Sequence, residues 1–313
     1  MRALRAVPAA PGFETAATVV QRLAVLLDAG VAPTSAWQHA ASGVDSPVAG
    51  AVVAGIVERG AVGRELVEQL LAARSLAPPG EREAWAALAA AWAVATESGA
   101  PLAPTLRRFA GVLRELAQGR REVEVALAGP VATGRIVLAL PAIGLLFGVL
   151  LGFDALRILA TTPPGWACLG AGALLVLGGI RWNRRLIRAA RTLDATPGLA
   201  LELLAIAVSG GASLDRAVAL VDGVLVDVGL PPLGDDAEAV LAFSRAAGVP
   251  AAALLHAEAE ERRRAARADG QRRAVELGTR LLLPLGVCIL PAFIALGVAP
   301  IVLSIVSSTA AAI

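Results

Sequence analysis

The stretch Leu281-Leu282-Leu283-Pro284-Leu285-Gly286-Val287-Cys288-Ile289-Leu290-Pro291-Ala292-Phe293-Ile294-Ala295-Leu296-Gly297-Val298-Ala299-Pro300-Ile301-Val302 decides the fold. No charged side chain follows Arg280 as far as the last residue, Ile313. A helix of about 20 apolar residues, rising 1.5 Å each, crosses the roughly 30 Å hydrocarbon core of a bilayer. A core helix of a soluble protein would need cover on every side, and nothing else in the chain could supply it over such a length. The segment 280–306 is therefore expected to span a membrane. Pro284, Pro291 and Pro300 each remove a backbone donor and crowd the preceding turn, so kinks are expected there.

Two earlier stretches read the same way. Val131 to Phe153 has no charge after Arg135, and Gly165 to Ile180 is apolar and bracketed by Trp166 and Trp182. Indole rings prefer the two membrane interfaces, so this pair suits a span of near-minimal length over 165–182. Composition agrees. The 313 residues are 57% hydrophobic and 17% charged, with mean hydropathy +0.69, against about 45–50% apolar and 25% charged in soluble domains.

The arginines set the expected topology. Lysine is absent, so all 28 basic residues are arginine. Arg107, Arg108, Arg114, Arg120 and Arg121 precede the first span. Arg181, Arg184, Arg185, Arg188 and Arg191 follow the second, and Arg262, Arg263, Arg264, Arg267, Arg272, Arg273 and Arg280 precede the third. The loop between the first two spans holds only Asp154 and Arg157. The opening Met1-Arg2-Ala3-Leu4-Arg5 is followed by no continuous apolar run, so no cleaved signal peptide is expected. The division is then a tail 1–12, a cytoplasmic domain 13–130, spans 131–153 and 165–182 joined by the short extracytoplasmic loop 154–164, a second cytoplasmic domain 183–279, the span 280–306 and a tail 307–313. The N-terminus faces the cytoplasm and the C-terminus lies outside the plasma (inner) membrane of a bacterium.

Both cytoplasmic domains read as bundles of helices, which makes the fold class an all-α membrane protein with the second bundle shortened. Val19, Val20, Leu23, Leu26 and Leu27 fall at helical spacing. Gly30 then offers a left-handed end, and Pro33 suits the first turn of the next helix. Gly99-Ala100-Pro101, Gly211-Ala212-Ser213 and Gly248-Val249-Pro250 repeat the punctuation, which suggests an internal duplication.

These residues carry a resemblance. Leu23-Ala24-Val25-Leu26-Leu27-Asp28-Ala29-Gly30-Val31-Ala32-Pro33 with Ala36-Trp37, Ile56-Val57-Glu58-Arg59-Gly60 with Leu66, and Glu97-Ser98-Gly99-Ala100-Pro101-Leu102 with Leu106 resemble the successive hairpins of type II secretion system F proteins. Leu283 to Phe293 resembles the last span of the tight-adherence (Tad) pilus branch of that family. The resemblance implies a platform protein for pilus assembly or protein secretion. Such a protein would couple a cytoplasmic secretion or assembly ATPase to the insertion or extraction of pilin or pseudopilin subunits. It would work as a homo-oligomer, or as a hetero-oligomer with a related platform protein. A small membrane transporter or channel component is the alternative, and the absence of ionisable residues mid-membrane, apart from Arg135 near an end of the first span, weighs against it.

The chemistry the sequence lacks narrows the field further. Without lysine there is no P-loop. His39 and His256 have no ligand cluster at metal spacing, and no Gly-x-Ser-x-Gly elbow appears. No enzyme activity, cofactor or metal is expected. Cys168 and Cys288 lie in apolar runs and read as buried thiols. The run Arg262-Arg263-Arg264 could meet the headgroups of membrane lipids, meet an acidic protein, or only enforce topology. Neighbouring Glu258, Glu260 and Glu261, and the lack of stacking aromatics, argue against nucleic acid. The hairpin turns at Gly30, Gly60, Gly99, Gly211 and Gly248, with Glu97 and Glu202 beside them, form the candidate partner surface. Gly144, Gly148 and Gly152 recur every four residues on one face of the first span, where small residues permit close helix packing.

Overall fold

Glycine and proline cut the chain into helices, and the computed structural model describes residues 11–59, 63–77, 81–150, 155–191 and 196–302. In order, α1 is Pro11–Asp28, α2 Pro33–Ala41, α3 Pro47–Arg59, α4 Arg64–Ala73, α5 Arg82–Ser98, α6 Leu102–Leu150, α7 Ala155–Thr161, α8 Pro163–Arg191, α9 Leu199–Ser209, α10 Leu214–Val228, α11 Asp235–Ala247 and α12 Ala251–Arg280. Helical structure continues from α12 to Val302. No strand occurs among the described residues, so the protein is all-α. Gly30, Gly99, Gly211 and Gly248 all have positive φ. After Gly30 the N–H of Val31 donates to the carbonyl of Leu26 at 3.0 Å, and after Gly99 that of Ala100 donates to Ala95 at 2.9 Å. This six-to-one closure uses carbonyls that the helix end leaves open. Ser213 stands at the N-cap of α10 with extended backbone, but its side chain makes no capping bond.

The described residues form two units. One comprises the chain up to Glu122 together with 196–268, and the other 123–191 together with 269–302.

In the first unit, both sequence stretches that flank the first two spans contribute to one hydrophobic core. Its centre is the pair α5 and α9. From Ala84 to Ala95 every residue of α5 is buried, and in α9 burial runs from Leu201 to Ala207. A helix apolar on all sides must be covered on all sides. Here α10 packs on both, while α1 and α4 also pack on α5. Alanine dominates α5, and its short side chain lets these neighbours approach closely. Three tryptophans, Trp37, Trp85 and Trp92, fill the volume between them. The rings of Trp37 and Trp92 are 5.9 Å apart and tilted, a favourable aromatic arrangement. With 11 residues, α9 is about 16 Å long, too short to span a bilayer despite its apolar character.

The second unit contains the apolar stretches of three helices long and apolar enough to cross a membrane. The first apolar stretch belongs to a longer helix. It is the second half of the uninterrupted α6, which contains Pro130 and Pro141. Large apolar side chains point outward along all three, among them Ile136, Phe147, Leu174, Leu177, Leu283 and Leu290. Water would penalise this surface and hydrocarbon would not.

Contacts between these helices run through glycines. A Cβ on Gly144 would stand 2.5 Å from Cε2 of Phe293, and one on Gly179 would stand 2.8 Å from Cδ1 of Ile289. A Cβ on Gly172 would collide with Leu296. Gly144 thus marks an intramolecular seam, whereas Gly152 lies outside the described residues and the surroundings of Gly148 are not described.

The prolines of the last span coincide with widened turns. π-helical turns occupy Leu285–Ile289 and Ile294–Val298. Pro291 and Pro300 lack the N–H that would normally bond the carbonyl four residues back, at Val287 and Leu296, and both of these lie inside a π turn. The N–H groups of Leu290 and Ala299 instead reach five residues back, to Leu285 and Ile294. In lipid a released carbonyl has no water to turn to, so a local change of helix type is a common remedy.

Two outcomes are expected. Trp92→Ala should remove about 3–5 kcal/mol from the stability of the first unit, read from denaturant unfolding followed by circular dichroism in detergent. Gly144→Leu should lower the thermal midpoint by displacing Phe293, at roughly 1–3 kcal/mol. Gly170→Leu, on an open face where an added Cβ meets nothing, should leave the midpoint unchanged.

Candidate functional site

Among the described residues of the first unit, the buried carboxylate is that of Glu202. Glu202 sits in the first turn of α9 with 1% of its surface exposed. Burying a charge is costly unless partners surround it, and three cationic or protonatable groups do. Arg108 of α6 donates from Nε to Glu202 Oε1 at 3.1 Å. His256 Nδ1, on α12, is 2.9 Å from the same oxygen, a contact that becomes a hydrogen bond only when Nδ1 carries the proton. Arg263, also on α12 and 5% exposed, places Nη1 3.5 Å from Oε2. Its Nε donates to Glu115 Oε2 at 2.7 Å, and Arg267 donates to the Glu115 carbonyl at 3.0 Å. Burial by itself pushes the Glu202 carboxyl up. The hydrogen bond and charge of His256, followed by the charges of Arg263 and Arg108, outweigh it and hold the group below its ordinary range.

This cluster ties α6, α9 and α12 together within the unit. A carboxylate so enclosed cannot meet a partner directly, so Glu202 faces inward rather than onto a surface. The cluster also consumes the centre of the arginine run. Arg263 is committed to Glu115 and Glu202, Arg262 pairs with Asp236 and Glu258, and Arg264 pairs with Glu260.

The hairpin turns come together in part. A Cβ on Gly99 would lie 3.9 Å from the carbonyl of Gly210, and the turn after α5 therefore touches the Gly210–Gly211 turn after α9. Glu97, one residue pair before Gly99, lines a groove of about 280 Å3 with Arg64, Val67, Gly223 and Asp227, between α4, α5 and α10. Gly30 stands in open space, and nearby Asp28 accepts from Arg107 of α6 at 2.7 Å. Gly248 closes α11, where Ser244 Oγ donates to the Val249 carbonyl at 2.7 Å. Gly60 lies outside the described residues.

Among the described residues no group of three or more His, Cys, Asp or Glu could hold a metal ion. His39 is exposed at the end of α2, and Cys168 and Cys288 are free thiols, each partly buried. His256 faces a buried carboxylate that is itself paired with arginine, an arrangement suited to holding helices and not to moving a proton to a substrate.

Glu202→Gln leaves Arg263 in the interior with a weakened counter-charge and should cost up to about 3 kcal/mol at neutral pH. The pH dependence has a definite sign. The folded carboxyl titrates lower than the unfolded one, near 4.3. Its stabilising contribution is therefore complete above that value and is lost as the pH falls through the lowered folded value. Acid titration of unfolding should show a shallower acid limb for Glu202→Gln than for the parent chain.

No curated protein and no solved structure matches the chain. One family model does, and it covers the helices that carry Gly30, Glu97, Gly99 and the Gly144 seam. Residues 19–150, from within α1 to the end of α6, match the model of type II secretion system (T2SS), protein F, and it is to that family that this part of the chain is similar.

Proposed function

We propose that the chain is a non-catalytic platform subunit in the inner membrane, serving a type II secretion or Tad-type pilus machine. The observation that carries this reading is the match over residues 19–150 in a chain with three helices of membrane-spanning length and hydropathy. The arginine clusters beside the spans support an orientation with the first unit in the cytoplasm and the C-terminus outside. In that position the helical unit meets a cytoplasmic ATPase, and the exposed apolar faces of the spans meet lipid, pilin subunits or further copies of the platform.

The groove beside Glu97 is the proposed ATPase-facing surface. It lies next to the joined Gly99 and Gly211 turns, and it presents Glu97, Arg64 and Asp227 around an apolar floor. A groove of both charge signs suits a partner that must be gripped and released, because rim charges set encounter and register more than affinity.

The test is co-purification in detergent with the cognate secretion-type ATPase. Glu97→Arg and Val67→Arg should abolish capture while the thermal midpoint stays within a few degrees. Capture that survives both changes removes the groove from the proposal. Reporter fusions check orientation independently. One inserted at Gly229, between α10 and α11, should report cytoplasmic, and one at the C-terminus extracytoplasmic.

A further inference from the structure

Arginines 262 to 264 pair with acids of their own unit, so the lipid contact the sequence invites there is already satisfied. The second unit carries a basic face that is not. From Pro163 to Arg191, α8 contains five arginines and no aspartate or glutamate. Arg181, Arg184, Arg185 and Arg188 are all exposed. Spaced at i, i+3, i+4 and i+7, they fall within an arc of about 100° on a helix of 3.6 residues per turn. The other side of the same turns is packed. Asn183 and Ala190 are buried, and Leu186 and Ile187 lie against the small core of the unit. We propose that this face of α8 binds an anionic phospholipid, its phosphate among the arginines and its acyl chains along Leu177 and Leu174. The proposal rests on the reading that the three apolar helices cross a membrane.

Charge favours an anion here. Among the described residues, the side chains of Arg181, Arg184 and Arg185 make no ion pair or hydrogen bond. Arg188 donates from Nε to the carbonyl of Arg184 at 3.3 Å and meets no carboxylate. Like charges therefore face one another at i, i+3 and i, i+4 along the helix, an arrangement that destabilises it. In α12, by contrast, Arg262, Arg264 and Arg280 each pair with a glutamate four residues earlier. An anion on the α8 face removes the repulsion, and guanidinium presents paired N–H groups that match two phosphate oxygens at once. Membrane orientation asks for arginines beside a span but is little affected by acids among them. It gives no reason for their absence.

Depth favours a lipid over other anions. Trp182, partly exposed, closes the second apolar stretch. Arg181 stands at that level, Arg184 and Arg185 about 3 and 4.5 Å beyond it, and Arg188 about 9 Å beyond. The polar layer on each side of the hydrocarbon is roughly 5–8 Å thick. The first three arginines are thus at headgroup depth, and the long side chain of Arg188 can reach back to it. Leu177 and Leu174 lie on the hydrocarbon side of Trp182, four and seven residues before Arg181 and so on the same face of the helix. They are 60% and 73% exposed. A Cβ on Gly178, between them and the arginines, would meet nothing, which leaves room for a chain to run down the helix. One continuous face is cationic at the headgroups and apolar in the hydrocarbon, the order of groups in a phospholipid. An acidic protein segment or a soluble phosphate would match the upper part alone.

The experiment is native mass spectrometry of the full chain in detergent, titrated with phosphatidylglycerol and, separately, phosphatidylcholine. Phosphatidylglycerol should be retained preferentially. The triple variant Arg181→Gln, Arg184→Gln, Arg185→Gln should lower that retention roughly tenfold or more. The charge-matched variant Arg272→Gln, Arg273→Gln, Arg280→Gln, at arginines that already have partners, should stay within about twofold. An equal loss in both triples would mean diffuse attraction and would overturn the site. Equal retention of the two lipids would overturn it as well. So would displacement of phosphatidylglycerol at matched concentration by glycerol phosphate, which would assign the face to a soluble anion, or by a glutamate-rich peptide, which would assign it to an acidic protein. If the α8 triple does not fold, Arg184→Gln and Arg185→Gln singly carry the same comparison. A chain monodisperse in buffer without detergent would instead overturn the membrane-spanning reading, a result separable from loss of lipid preference in a chain that still requires detergent.

Discussion

A peptide group in hydrocarbon must find its hydrogen-bond partner inside the protein, and the second unit follows from that requirement. Its apolar segments are helical because a helix alone satisfies a single crossing segment from within. Side chains are free to be apolar on the outer face and small on the inner one. Where proline breaks the ladder, as at Pro291 and Pro300, the helix widens so that the N–H groups of Leu290 and Ala299 still find carbonyls. The glycines at 144, 172 and 179 serve the same end. Between helices in lipid there is no hydrophobic drive, so cohesion comes from close van der Waals packing, and close packing needs missing side chains.

The first unit solves the opposite problem. In water the drive to bury apolar surface is strong, and the alanine-rich α5 and the apolar α9 are enclosed by other helices. The same enclosure puts Glu202 where water cannot reach it. The chain keeps the charge by surrounding it with arginine and histidine from helices far apart in sequence. A buried ionic group of this kind contributes modestly to stability in net terms, since desolvation offsets much of the attraction. Its stronger effect is on register: α6, α9 and α12 cannot slide past one another without separating Glu202 from Arg108, His256 or Arg263.

Much of this was legible in the sequence, for local reasons. The first and third apolar stretches announce themselves by length and the second by its bracketing Trp166 and Trp182, and Gly30, Gly99, Gly211 and Gly248 announce helix ends because only a residue without a Cβ turns left cheaply. All four have the positive φ that reading requires. The missed features are those set by distant residues. Glu202 and Arg108 are 94 positions apart, and no spacing rule links them. A glutamate among leucines reads equally as an exposed or an enclosed group until the neighbouring helices are known. The distant partners of Arg262 and Arg263, Asp236 on α11 and Glu115 on α6, are hidden for the same reason. The short helix α7 went unread within the loop 154–164 because seven residues are too few for a helical period to stand out. The continuity of α6 through Pro130 and Pro141 also runs against the usual weight given to proline.

The widened turns of the last span have a geometric consequence. An ordinary helix repeats every 3.6 residues, so a row of side chains four apart drifts steadily around the axis. Here Leu290, Ile294, Val298 and Val302 are all outward-facing, at intervals of four. Five-residue hydrogen-bonded loops absorb the extra fraction of a residue and straighten the row into a line nearly parallel to the helix. A neighbouring straight helix could lie against that line along its whole length, without the coiling that a regular helix would impose on it.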